Sequence, residues 1–532
     1  MSDFTAPAAS RPHLTTDIVL CTLNAKYIHA SLGLRYLLAN MGDLQAKATL
    51  CEFTINRNTE ELAAELLLIN PKIIGFGVYI WNVVPTCALV RRLKTQRPDI
   101  KIVLGGPEVS HETLEQEIVH LSDHVITGWG DVSFPKLCQA LLHGPKPLMK
   151  VIVGEQPPLA DITLPYDLYT DDDLAHRLLY VEASRGCPFK CEFCLSSLDK
   201  TAWAFDLALF LAELETLYAR GARNFKFVDR TFNLKIDASV RILQFFLDRL
   251  SDDLFVHFEV IPDHLPDRLK DMIAQFPPGV LQFEVGIQSF NVEVQQRISR
   301  RQDNDKTVAN LGWLINESNA HLHTDLIFGL PGESLQSFGE GFDRLFAIKP
   351  HEIQLGILKR LRGTPIARHT VEHGMVYDPL PPYQIQQTNA VSSADMQRFA
   401  RLARYWDLVA NSGRFGQSMG LLLNAESPFA AFMHFSDWLW AGSPKTQGKT
   451  SGKTSGITPE NLVDALHAYL IDVRKFDSQL VTKILLADYI ASGARARPDV
   501  LRSLIPKLPL PQVKSGKALS QRQTQHLQAA EI

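Results

Sequence analysis

The sequence predicts an α/β protein: an N-terminal Rossmann-like domain, a central partial (βα)6 barrel and a C-terminal, mainly helical domain. Three observations carry this reading. Strand-sized apolar runs alternate with helical patterns across residues 14–150, and they do so again across 179–370. Alternation of this kind builds parallel sheets with helices on their faces. Between the two lies a linker at 151–178, in a stretch punctuated by Pro145, Pro147, Pro157, Pro158 and Pro165. From 379 to 505 the strand pattern gives way to helical periodicity dense in aromatics. Residues 506–532, rich in Gln, Lys and Ser, read as a disordered tail.

Bulk composition narrows the function. A chain of 532 residues has room for two or three domains with their own cores. A net charge of -4 makes no electrostatic case for nucleic acid or an anionic membrane surface. No apolar run approaches the roughly 18 residues that would span a bilayer, and residues 1–13 lack the basic-then-apolar order of a signal peptide. Of seven cysteines, three cluster at 187, 191 and 194; Cys21, Cys51, Cys87 and Cys138 sit in apolar contexts and read as free, buried thiols. A reducing, cytoplasmic setting is therefore expected.

In the first domain the expected strands are 17–21, 48–52, 72–78, 101–104 and 124–127, with helices such as 59–70 and 85–95 between them. Ligands of such sheets bind at the strand C-termini. Those ends carry His29, Tyr79 to Asn82, Gly105-Gly106-Pro107-Glu108 and Gly128-Trp129-Gly130-Asp131. No Gly-x-Gly-x-x-Gly follows the first strand, which argues against a dinucleotide. In the linker, the acidic run Asp171 to Asp173 reads as solvated surface.

The second domain opens on Tyr180-Val-Glu-Ala-Ser-Arg-Gly-Cys187-Pro-Phe-Lys-Cys191-Glu-Phe-Cys194. The Cys-x3-Cys-x2-Cys spacing turns three thiolates onto one small object. Structural zinc takes four closed protein ligands, and no fourth Cys or His lies at the usual spacing. A cubane of four irons can use three thiolates and keep one iron open. A zinc knuckle, or three unrelated thiols, is the alternative. The expected barrel strands are 180–184, 224–228, 255–260, 281–285, 323–328 and 352–358. Between them lie helices such as 205–220, whose Phe205, Leu209, Phe210, Leu214, Leu217 and Tyr218 should face the barrel, and 238–250.

The cysteine run resembles the signature of the radical S-adenosylmethionine (radical SAM) enzymes. The resemblance implies that Cys187, Cys191 and Cys194 hold a [4Fe-4S] cluster. In that family the amino and carboxylate groups of S-adenosyl-L-methionine (SAM) chelate the open iron, and reduction cleaves SAM to methionine and a 5'-deoxyadenosyl radical. It further implies a SAM-binding set of Phe193, Asp229, Glu259, Gln288, Ser289 and Asp325. Asp229 stands where the family binds the methionyl ammonium, although the usual Gly-Gly-Glu is absent. Glu284-Val-Gly-Ile-Gln288-Ser289 is similar to the family's Glu-x-Gly-x-Gln-Ser. Arg297 or Arg300 is a candidate partner for the SAM carboxylate, an exposed helix cation being the alternative. Gly329 and Gly332 allow a tight turn after the fifth strand, with Glu333 opening the next helix, and single polar residues at such places also serve as caps.

The first domain resembles the cobalamin (B12)-binding domain that often precedes this core. The resemblance implies a corrin against Tyr79, Gly105, Gly106, Gly128 and Gly130. The Asp-x-His-x-x-Gly motif that supplies an axial histidine is missing, and a corrin-free Rossmann-like domain is the alternative. The basic flank of Lys359 to Pro365 is a candidate anion holder or a solvated loop. The aromatics of 379–505, Phe399 to Trp440, read as a helical core more readily than as a cofactor box. The repeated Gly-Lys-Thr-Ser at 448–456 lacks the glycine and strand of a phosphate loop and reads as a linker. The function expected is a cobalamin-dependent radical SAM enzyme that methylates an unactivated carbon of a small-molecule or peptide substrate, served by a flavodoxin- or ferredoxin-type electron donor. A radical SAM rearrangement or C–H functionalisation without methyl transfer, and a non-enzymatic metal-binding scaffold, are the rivals.

Overall fold

Residues 16–442, 457–494 and 497–505 are described by a computed structural model. The readings of residues 1–13, of the 448–456 repeat and of the 506–532 tail fall outside these residues.

Two six-stranded parallel sheets follow one another. The first joins β1 (Ile18–Asn24), β2 (Ala48–Thr54), β3 (Ile73–Gly77), β4 (Lys101–Gly105), β5 (His124–Thr127) and β6 (Val151–Val153) in the order β2-β1-β3-β4-β5-β6. The run Ile18 to Leu20 is fully buried, as it must be in a strand covered by helices on both faces. One helix starts where Ser31 caps Leu34 and another where Asn58 caps Glu60. The order changes direction between β1 and β3, and the crevice at such a switch is where doubly wound sheets take ligands. β6 corrects the linker reading: Val151–Val153 belongs to the first sheet, pairing with β5. Three residues beside prolines are too few to show a strand period.

The second sheet joins β7 (Leu179–Val181), β10 (Asn224–Phe227), β11 (Phe255–Val260), β12 (Leu281–Gln288), β13 (His321–Phe328) and β14 (Glu352–Ile357), each beside the next. Between β7 and β10 runs a short antiparallel ribbon of β8 (Ser184–Arg185) and β9 (Trp203–Ala204). β7 and β14 are the two edges and do not pair, so the barrel is open on one side. On the helix Leu207–Ala219, Phe210, Leu214 and Leu217 are buried, whereas Leu209, expected on that face, is 53% exposed. It falls one position off the 3.6-residue stripe the others define.

The C-terminal helices close over β14. On the helix Ser393–Val409, Trp406 donates its ring N–H to the Ile353 carbonyl at 2.9 Å. Asn411 accepts from Ile353 N at 3.1 Å and donates back to its carbonyl at 3.0 Å. A side chain thus supplies what a neighbouring strand would, which blunts an exposed edge. Asp343 receives Ser427 Oγ at 2.5 Å and Phe429 N at 2.7 Å, anchoring the start of the helix Pro428–Gly442. The aromatic core reading holds for Phe399, Trp406, Phe429, Phe432 and Phe435, all buried; Trp440 is exposed. Of the four thiols outside the cluster, Cys21, Cys51 and Cys138 are buried and Cys87 is half-buried.

Ion pairs lock the domains together. Arg35 is buried against Glu52 at 2.9 Å and Asp173 at 2.8 Å, and Arg177 reaches Glu52 at 2.9 Å. Asp173 is therefore not solvated as its acidic run suggested: the Thr170 capping box turns it inward onto Arg35. The basic flank after β14 is also spent internally. Arg360 and Arg362 pair with Glu112 at 2.6 and 2.7 Å, and Arg362 with the buried Glu108 at 3.1 Å, both acids belonging to the first domain.

Candidate functional site

The cysteine loop is pinched at its base by β8 and β9, which pair Ser184 with Ala204 and Arg185 with Trp203. Gly186 makes the entry with φ of +85°, and a Cβ there would collide with the Thr201 carbonyl, so the Arg-Gly lead-in is a steric requirement. Inside the loop, Ser197 Oγ donates to the carbonyls of Cys191 at 2.9 Å and Cys194 at 2.7 Å. Glu192 is buried between the cysteines and accepts from Ser299 at 2.6 Å, from Arg368 and from His369 at 2.9 Å. Cys187, Cys191 and Cys194 line one cavity of about 250 Å3 together with Phe193, Glu259, Gln288, Arg300 and Asp325. Burial raises the Cys187 thiol to about 11 and raises Cys191 as well, while Arg300, 3.7 Å from Cys191 Sγ, pulls the latter down.

The geometry suits a cluster. Three thiolates on one zinc at about 2.3 Å would stand about 4 Å apart, yet among the described residues these sulfurs do not form a set lying within 4.8 Å of one another. Two buried acceptors face the same cavity without a hydrogen-bond partner, Gln288 Oε1 and Asp325 Oδ1, the latter 3.9 Å from His323 Nε2. Unmet polar atoms of this kind mark where a ligand's ammonium or hydroxyl would bind. Gln288 reaches the cavity through a bulge between Gly286 and Gln288, where its φ is +69°. Burial raises Asp325 well above the usual carboxylate range, helped by the charges of Glu284 and Glu259. Burial alone would raise Glu284 too, but the hydrogen bond from His257 at 3.1 Å and Lys226 at 3.3 Å hold it far below. The two carboxyls are thus pushed in opposite directions, Asp325 up and Glu284 down.

Two expected SAM contacts stand elsewhere. Asp229 is buried behind the cavity wall, where it accepts from Ala183 N at 3.0 Å and Ser184 Oγ at 2.5 Å. Burial pushes it to about 7 against those bonds. Ser289 is buried and donates to Glu333, which burial pushes to about 8. Glu333 does not open the next helix; Ser334 caps it. Arg297 turns to the Pro331 carbonyl at 3.2 Å, so that of these two candidates Arg300 lines the cavity, with Arg230 and Arg301 beside it.

A second cavity of about 780 Å3 lies between the strand ends of the two sheets. The first sheet lines it with Tyr79, Gly105, Gly106, Gly128 and Gly130, so all five expected corrin contacts meet there. Gly106, at φ of +106°, packs so closely on the backbone just after β3 that a Cβ would stand 2.5 Å from the Val78 carbonyl. Tyr79 stacks on Trp81 with ring centroids 4.5 Å apart. Both residues line the cavity, which is at the large end of the roughly 300–1,000 Å3 of small-molecule sites. His29 also lines it, held through Nδ1 by Tyr180 Oη at 2.6 Å. Arg185 ties the cysteine lead-in to Asp131 of the glycine turn at 3.1 Å and to Glu182 at 2.6 Å. Arg230, Glu259 and Glu284 line both cavities, with Arg230 and Glu259 paired at 2.7 Å.

Sequence reasoning passed over Lys226, His257 and Arg230. The alternation Phe225-Lys226-Phe227 holds the signal: both phenylalanines are fully buried, and strand period two sends Lys226 to the opposite, inner face.

Comparison with known proteins agrees with this geometry. Residues 181–345 match the radical SAM superfamily, 18–138 the B12 binding domain, and 371–528 a family described as protein of unknown function, DUF4080. The chain is 27% identical over 246 residues to an uncharacterized methyltransferase of Pyrococcus horikoshii, covering 41% of this chain and 53% of the relative. It is 24% identical over 329 residues to the cobalamin-dependent radical SAM methyltransferase TokK of Streptomyces tokunonensis, covering 55% and 48%. The chain thus spans about half the length of these curated relatives. Its fold resembles that of the radical SAM methyltransferase TsrM from Kitasatospora setae, solved with cobalamin and a [4Fe-4S] cluster, at a TM-score of 0.57 and 14% identity over 90% of this chain and 100% of that one. It also resembles OxsB, a cobalamin-dependent SAM radical enzyme solved with aqua-cobalamin and SAM, at 0.58 and 13% over 98% and 84%. The radical SAM domain implies a [4Fe-4S] cluster and SAM, and the B12-binding domain implies cobalamin. The chain thus carries a B12-binding domain followed by a radical SAM domain.

Proposed function

We propose that the chain is a cobalamin-dependent methyltransferase that acts on an unactivated carbon of a small-molecule or peptide substrate. The observation that carries this reading is the shared wall: Arg230, Glu259 and Glu284 border both the cysteine cavity and the glycine-lined cavity. A substrate carbon in that space would lie between the two cofactors. When bound, the cluster and SAM supply a hydrogen-abstracting 5'-deoxyadenosyl radical, and the corrin supplies the methyl group. The chain's own residues would bind and orient. Cys187, Cys191 and Cys194 would hold three irons. Gln288 and Asp325 offer SAM buried oxygens without hydrogen bonds, and Arg300 offers a cation to its carboxylate. Glu284, kept charged by His257 and Lys226, and the paired Arg230 and Glu259 give the substrate space a polar lining. Asp229 and Ser289 act one layer behind, the first by fixing the backbone at Ala183 and Ser184. A low-potential flavodoxin- or ferredoxin-type donor in a reducing cytoplasm completes the scheme.

Anaerobic reconstitution with iron, sulfide, cobalamin, SAM and a chemical reductant tests it. The expected result is 5'-deoxyadenosine production, a bound-corrin absorption band, and loss of both cluster and 5'-deoxyadenosine in Cys191→Ser with the corrin retained. Production of neither 5'-deoxyadenosine nor the corrin band overturns the reading. 5'-deoxyadenosine without methyl transfer from labelled SAM to any trial substrate would favour C–H functionalisation instead.

A further inference from the structure

Behind the cysteine loop, on the side away from both cavities, the chain leaves the barrel through the short 3-10 turn Pro365–His369. The turn continues far enough for His373 N to donate to the His369 carbonyl at 3.0 Å. That winding brings positions i, i+3 and i+4 onto one face, here His369, Glu372 and His373. One ligand atom from each lies within 4.8 Å of the other two. His369 is buried, His373 half-buried, and Glu372 opens to solvent. His373 Nε2 is itself buried and has no hydrogen-bond partner. His369 is oriented from behind: its Nε2 is 2.9 Å from Glu192 Oε2, which leaves Nδ1 as its second nitrogen. A carboxylate holding one imidazole nitrogen is the arrangement that presents the other to a metal. Of the neighbouring cations, Arg368 pairs with Glu192 and reaches His369 only at Nε2, at 3.4 Å, and Arg297 is engaged with the Pro331 carbonyl and Glu293.

We propose that His369, Glu372 and His373 form a second, mononuclear metal site for a divalent cation of the zinc class. Two imidazoles and one carboxylate suit zinc, cobalt or nickel better than magnesium or calcium, which take oxygen ligands. The three atoms lie within 4.8 Å of one another, with His373 Nε2 and Glu372 Oε1 already 3.8 Å apart, against the about 3.4 Å of tetrahedral zinc, and the exposed side leaves the fourth position to water. Because Glu192 lies between Cys191 and Cys194 and holds His369, the ion would brace the outer side of the cluster loop.

The test uses the full chain with its cluster loaded, so that the cysteines are occupied. Zinc is added, loosely held metal is removed by desalting over a weak chelator, and iron and zinc are counted. One zinc per chain beyond the cluster iron is expected, with cobalt in its place giving tetrahedral visible bands and no thiolate charge-transfer band. His373→Ala should lower zinc affinity at least 10-fold. The solvent-exposed Glu372→Gln, which does not disturb the core, should lower it by a similar factor, with cluster iron and circular dichroism unchanged in both. The proposal is overturned if either variant binds zinc as wild type does, or if the zinc is lost in a Cys187→Ser, Cys191→Ser, Cys194→Ser triple variant that keeps its fold.

Discussion

Asp229, just after β10, and Asp325, within β13, are the same residue type, and the structure gives them opposite circumstances. Both oxygens of Asp229 are satisfied by Ala183 and Ser184, so it holds a loop. Asp325 keeps a buried oxygen without a hydrogen bond beside the cysteines, so it waits for a ligand. Glu333 belongs with Asp229 as an interior carboxyl, with one oxygen on Ser289 and the other buried and unpaired. It also sets a pH dependence. Its folded value of about 8 lies above the ordinary carboxylate range, so the fold favours the protonated form. That contribution is complete below about pH 4.3 and is lost as pH rises through about 8. Glu333→Gln keeps an acceptor for Ser289 and removes the charge. Its apparent unfolding midpoint should match wild type near pH 4 and exceed it by a few degrees at pH 9, read by thermal melts across pH. A gap that does not widen with pH would refute the assignment.

At the scale of the element, what decides the site is how strands end. The β12 bulge turns Gln288 inward, the β8–β9 ribbon closes the cysteine loop, and β4 ends in Gly105-Gly106 against Val78. Gly106→Ala would combine a left-handed φ with a Cβ 2.5 Å from a backbone oxygen. Such strain costs on the order of 1–3 kcal/mol and has no flexible side chain to absorb it. The expected outcome is a lowered melting midpoint and lost corrin retention, with cluster iron unchanged, measured by absorption and iron assay on the same sample. Corrin retention equal to wild type would show that this strand end is not the binding surface. The helix and strand interiors were legible from their period. The bulge was not, because the one extra residue, Ile287, shows only in the pairing with β13, where Gly286 and Gln288 oppose Asp325 and Leu326. Leu209 was misplaced for a related reason, since in an almost wholly apolar helix the buried stripe is set by the neighbour it meets.

Across the whole molecule, the domains are held by charge. Arg362 bridges Glu108 and Glu112 and rests on Tyr383, and Arg35, beside Glu52 of its own domain, holds the connector through Asp173. Removing one member strands a buried partner, which costs roughly 3–5 kcal/mol. Arg362→Ala should leave each sheet folded but loosen their alignment. The predicted readouts are faster proteolysis between the domains, a larger scattering radius, and weaker corrin retention with normal cluster iron. A variant as compact and protease-resistant as wild type would remove Arg362 from this role. In the sequence Arg360 and Arg362 read as an anion site or a solvated loop, because their partners Glu108 and Glu112 lie about 250 positions away.

The sequence by itself determined the class: the cysteine spacing, the Arg-Gly entry, two rounds of strand and helix, and the paired glycines after the fourth strand. These are local features, written in the steric demands of a tight loop and in the period of an amphipathic segment. Tertiary structure alone decided which polar residues reach the cavities, that both cavities share one wall, and that the two domains are latched by ion pairs. Those outcomes depend on register, bulges and long-range contacts, where a side chain's neighbours come from elsewhere in the chain and its own surroundings in sequence carry no trace of them.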